Sequence, residues 1–157
     1  MATRRPASSI RQWISQSVLE SGWALIAVFC LNVAMSRIFD AYRAFPGIDI
    51  PMHFLGGMVI AFFFHRASIN GSRLNVLGAF HPLTHALLVF FATCAATVVW
   101  EFAEFISDRY FGGHAQAGLV DTLRDMLMGI LGGATLITAM IARVARLAAK
   151  QTEIANR

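Results

Sequence analysis

Four apolar stretches, at residues 23–39, 52–69, 83–106 and 120–141, constrain this chain more than any other feature. Each is long enough, with its neighbours, to cross about 30 Å of hydrocarbon as a helix rising roughly 1.5 Å per residue. Composition agrees with that reading: 57% of residues are hydrophobic and only 14% charged, with a mean hydropathy of +0.59. A soluble domain holds roughly 45–50% apolar residues. The expected fold is therefore all-α, an integral membrane bundle of four transmembrane helices in one domain over residues 22–142.

Outside the spans, residues 1–21 form an N-terminal cytoplasmic or interfacial segment, and residues 143–157 a basic cytoplasmic tail. Ile10, Trp13, Ile14 and Val18 recur at helical spacing behind Ser8 or Ser9 as N-cap, which predicts a short amphipathic helix in the interface with Trp13 at headgroup depth. A frayed tail is the alternative. A polar run separates Arg4 and Arg5 from the first span, which argues against a removable signal peptide. Asn32 is the one strongly polar group within the first span and is expected to bond to a neighbouring helix. Pro46-Gly47 and Pro51 punctuate the next loop, and Asn70-Gly71-Ser72 reads as a turn in a polar loop over 66–81. Gly56, Gly57 and Ala61 on the second span, and Gly129 with Gly133 on the fourth, are small faces that let backbones approach closely. Cys30 and Cys94 sit mid-span and read as packing residues.

The densest chemistry lies between Trp100 and Asp125, WEFAEFISDRYFGGHAQAGLVDTLRD. On a helix, Glu101, Glu104 and Asp108 fall within about 60° of one another, and Asp121 and Asp125 share a face by their i, i+4 spacing. Thr93, Cys94 and Thr97 continue the face of Glu101 as a mildly polar track. Carboxylates at the ends of two apolar helices repel one another and are costly to desolvate, so a positive partner is expected among them. Asp49 and His53, four residues apart at the start of the second span, belong to the same end. His65, His81 and His85 fall at the opposite end.

Charge asymmetry orients the chain. With four spans both termini share a side, and that side with the 66–82 loop carries nine of the thirteen bases; the other holds Arg37, Arg43, Arg109 and Arg124. Positive residues accumulate in the cytoplasm, so both termini are expected there, in a bacterial inner membrane. Seven of the nine acids fall on the outer side. The net charge of +4 is scattered through flanks and loops, which argues against nucleic acid as a partner.

Hard oxygen donors with one imidazole suit a divalent cation, Mg²⁺, Mn²⁺, Ca²⁺ or Zn²⁺. His53, Glu101, Glu104, Asp121 and Asp125 are the candidate metal ligands. Glu101, Glu104 and Asp125 are the candidate acid–base groups, and Asp49, Asp108, Arg109 and Arg124 would hold a lipid or other envelope ligand. Metal-assisted headgroup chemistry is one form of that reading. The alternative is a non-enzymatic accessory or assembly subunit, without a cofactor, whose acids pair with Arg109 and Arg124 or bind a membrane-protein partner. An ion or proton carrier would need a route across the membrane, which the Thr93–Thr97 face alone hints at.

The layout of Asp49, His53-Phe54 with Gly56-Gly57, Trp100-Glu101-Phe102-Ala103-Glu104, Asp108, Asp121-Thr122 and Asp125 before a glycine-rich helix resembles the YjdF-type family of small bacterial inner-membrane proteins. More distantly it is similar to VanZ-like proteins, which join a His-Phe helix start to a glutamate and a later aspartate. The likeness covers roughly residues 45–135. It implies a multi-span helical protein of the cell envelope and supplies no reaction.

Overall fold

The computed structural model describes residues 6–155; Arg4, Arg5 and Arg157 lie outside the described residues. Four helices are long and apolar enough to cross a membrane, and no strand occurs among the described residues. The first runs over residues 6–38. The second is Asp49–Arg73, the third Pro82–Phe111 and the fourth Leu119–Ala155. Large apolar side chains such as Phe29, Phe91, Phe102 and Leu131 are exposed, while the buried positions are mostly small or polar: Ala61, Ser21, Thr93, Thr97, Asn70, Glu101 and Asp125. Such an inverted distribution suits lipid as the surrounding solvent, since small residues allow helices to pack closely where hydrophobic burial drives nothing.

The first helix differs from the expectation of an interfacial segment followed by a separate span. Its α-helical part Pro6–Ser17 continues through a π-helical turn, Val18–Gly22, into Trp23–Val33, and a second π turn follows at Ala34–Ile38. Ser8 and Ser9 therefore lie inside the helix instead of capping it. Widening to an i→i−5 register frees carbonyls that apolar surroundings cannot satisfy. Two hydroxyls supply donors there: Ser17 to the Trp13 carbonyl at 2.7 Å and Ser21 to the Ser17 carbonyl at 2.7 Å. Trp13 packs on the second helix, its indole N–H donating to the Ala67 carbonyl at 2.7 Å.

The turn expected at Asn70-Gly71-Ser72 is helical instead, because tertiary contacts override the local signal. Asn70 is fully buried and donates to Glu20 Oε2 at 3.0 Å, Arg66 pairs with the same carboxylate, and Gly71 is packed against Leu77 and Trp13. The chain turns just beyond, through Asn75 at φ 54°. Nearby, His65 Nδ1 and His85 Nε2 meet at 3.0 Å and tie the second helix to the third.

The third helix starts on His81, whose ring accepts from the Leu83 N–H at 3.3 Å, with Pro82 in the first turn. It runs through Phe111, further than expected, and stops at Gly112, whose φ of 70° suits glycine.

Glycines set the interhelical distances. Gly57 lies against the Gly129 carbonyl and Gly132 against the Phe54 carbonyl, so the second and fourth helices touch backbone to backbone. Gly129 and Gly133 also receive the methyl groups of Thr97 and Thr93 from the third helix. The threonine face is thus a packing seam, its hydroxyls bonded within their own helix to the Cys94 and Val89 carbonyls at 2.8 Å each. Gly56 faces open space.

Candidate functional site

The close glycine contact of the second and fourth helices carries a consequence one turn toward the acidic end, where their charged side chains must meet. Asp49 and His53 from the second helix, Glu101 and Glu104 from the third, and Asp125 from the fourth converge there. His53 is the hinge of the arrangement. Its Nε2 lies 3.2 Å from Asp49 Oδ1 and its Nδ1 lies 3.7 Å from Glu101 Oε1. Donor atoms of Asp49, His53 and Asp125 lie within 4.8 Å of one another, and so do those of His53, Glu101 and Glu104. The Glu101 and Asp125 side chains are 5% and 3% exposed, unusual for carboxylates on apolar helices.

Arg124 is the cation that faces these acids. Its guanidinium pairs with Asp121, lies 3.4 Å from Asp125 Oδ1 and reaches Asp49 Oδ2 at 3.9 Å. Asp121, expected as a metal ligand, falls outside both donor groups: it is held by Arg124 and by the Ala117 N–H at 3.0 Å. Asp49, expected to hold an envelope ligand and not a metal, lies inside one of them. Arg109 stands over the Tyr110 ring at 5.7 Å and is exposed, with no carboxylate at ion-pair distance among the described residues. Asp108 lies beyond the cluster and organises the loop between the third and fourth helices, accepting from the Ala115 and Gln116 N–H groups at 3.0 and 2.8 Å.

Three participants went unread in the sequence. Gln116 sits in that loop, and its amide donates to the Glu101 carbonyl at 3.0 Å and to Glu101 Oε2 at 3.2 Å. Trp100 donates to Glu104 Oε1 at 2.7 Å. Tyr42, on the short helical turn Ala41–Ala44 before the second helix, donates to Asn32 Oδ1. Burial, together with the Asp49, Glu104 and Asp125 carboxylates, pushes the Tyr42 phenol up to about 12, so it remains a donor at neutral pH. The i, i+4 step from Trp100 to Glu104 was a legible signal; Gln116 and Tyr42 lie in connections whose path no periodicity reveals.

A family model described as "Predicted membrane protein (DUF2238)" matches residues 10–146, which takes in all four spans and every residue of the cluster. The chain belongs to the DUF2238 family. An uncharacterized protein of Thermotoga maritima is 31% identical over 105 residues, 65% of this chain and 52% of the relative, so the chain spans about half the length of that relative. No solved structure matches.

Proposed function

We propose that the acidic end of the bundle is a divalent-cation site, with His53, Glu101 and Glu104 as its ligands. The observation that carries this reading is the two-sided placement of His53. One ring nitrogen faces Glu101 while the other faces Asp49, the pattern of a metal-binding histidine whose second nitrogen is oriented by a carboxylate. Charge distribution favours the same half of the cluster. Arg124 compensates Asp49, Asp121 and Asp125, whereas among the described residues Glu101 and Glu104 have only the neutral donors Gln116 and Trp100 besides His53. Two carboxylates with one imidazole suit Mn²⁺ or Zn²⁺, and with added water Mg²⁺ or Ca²⁺. In its fuller form a bound cation activates water or holds a lipid phosphate, with Asp125 as an acid–base group.

The base count favours the outer face of a bacterial inner membrane as the location of this site, and DUF2238 membership supports the YjdF-type likeness that goes with it. A second reading, a charge-paired scaffold in an accessory subunit of a membrane complex, is favoured by one observation: Arg124 already contacts three carboxylates.

Elemental analysis of the detergent-purified protein separates the two. Wild type is expected to carry about one transition-metal or alkaline-earth dication per chain, Glu101→Gln to lose it, and Asp125→Asn to retain most of it. Wild type free of such metal after dialysis against Mn²⁺ and Zn²⁺, with monodisperse variants, supports the scaffold instead.

A further inference from the structure

At the pole opposite the acids, the fourth helix is longer than a bilayer requires. Its 37 residues extend about 55 Å, against about 30 Å of hydrocarbon. Counting roughly 20 residues from Asp121 at the acidic interface reaches Ile141, so Arg143 and Arg146 emerge at headgroup depth within the next two turns. Both are exposed, and among the described residues neither comes within ion-pair distance of a carboxylate.

These arginines belong to a built stripe. Ala139, Ala142, Arg143, Arg146 and Leu147 follow i, i+3, i+4, i+7, i+8 spacing and line one open groove of about 460 Å³. All five lie on the fourth helix, so the groove is shallow, and its two alanines are the smallest side chains along it. Beside them stand two guanidiniums, which recognise phosphate through paired N–H donors. Ile141 and Val144, also exposed, flank the stripe with apolar surface. A shallow apolar recess beside two arginines that meet no carboxylate among the described residues matches one ligand chemistry, an acyl chain joined to an anionic phosphate.

We propose that the Ala139–Leu147 stripe binds an anionic phospholipid, its acyl chain along Ala139 and Ala142 and its phosphate on Arg143 and Arg146. The inference is independent of the metal reading.

Native mass spectrometry of the full chain, from mixed micelles holding equal phosphatidylglycerol and phosphatidylcholine, tests it. Wild type should retain phosphatidylglycerol preferentially, and R143Q/R146Q should lose that preference by about tenfold or more, given roughly 1 kcal/mol per basic residue near an anionic surface. R37Q/R43Q, which removes equal charge from the other pole, should leave it intact and controls for net charge. Equal retention of the two lipids by wild type, or an unchanged preference in R143Q/R146Q, overturns the proposal. So does full competition by millimolar inorganic phosphate, which would mean that the arginines bind a free anion and the alanine recess contributes nothing.

Discussion

At His53 a single imidazole meets carboxylates from two different helices, and the partners on each nitrogen differ in what else they touch. Asp49 also reaches Arg124, while Glu101 is anchored by Gln116, so the ring lies between a compensated and an uncompensated half of the cluster. Gln116→Ala is accordingly expected to loosen any cation held by Glu101 and Glu104 by roughly 10–100-fold, the usual scale for removing an outer partner of a ligand. Cation titration of folded protein checks it, and unchanged affinity would show that the Gln116 amide does not support the ligand. Tyr42 supplies a second residue-scale expectation. Its pKa, about 12 in the fold against an ordinary 10, means the folded state holds the phenolic proton more tightly than the unfolded chain. Its contribution is therefore full below pH 10 and is lost as pH rises from 10 toward 12. Thermal unfolding in detergent between pH 9 and 11 should show a steeper loss for wild type than for Tyr42→Phe; parallel curves would remove the phenol from the account. That His53, Glu101, Glu104 and Asp125 lie toward one end was legible in the sequence, because charged residues on apolar spans are costly unless they face one another. Division of labour among them was not, since it turns on which carboxylate Arg124 reaches.

Among the elements, the pairing of the second and fourth helices is what brings the acids into register. Two adjacent glycines in the same turn offer a controlled test of it. A methyl group at Gly57 would overlap the Gly129 carbonyl, whereas one at Gly56 meets open space. Gly57→Ala should destabilise the bundle by about 1–3 kcal/mol through overpacking. Gly56→Ala should be neutral or stabilise it by up to about 1 kcal/mol, because alanine costs less than glycine in a helix. Denaturant unfolding in mixed micelles reads the difference; equal effects would mean that the two helices are further apart than described. The first helix shows the limits of local signals. Residues 6–22 have a polar composition that reads as a surface segment, yet Trp13, Ser17, Ser21 and Glu20 are tied to the second helix or to their own π turn. Asn70-Gly71-Ser72 fails as a turn for the same reason: Glu20, fifty residues earlier, supplies the partner that keeps Asn70 in a helix.

For the molecule as a whole, orientation decides which compartment a ligand of the acidic end would come from. Reporter fusions after residue 75 and at residue 157 should both give cytoplasmic signals if the nine-to-four base asymmetry governs insertion; a periplasmic signal at either would move the acids to the inner face. The number of spans and their helical nature followed from the sequence alone, because the hydropathy of a stretch and the thickness of hydrocarbon are properties that need no partner. The acid-rich end was legible on the same basis, as helical spacing places Glu101 with Glu104 and Asp121 with Asp125 before any neighbour is known. Only the tertiary structure decided that Asp121 is held by Arg124, that Asp49 joins His53 and Asp125, and that Gln116 and Tyr42 close in on the cluster from the loops. Those choices depend on angstrom-scale distances between helices, and these are set where Gly57 meets Gly129 and Gly132 meets Phe54, contacts between residues some seventy-five positions apart that no local pattern encodes.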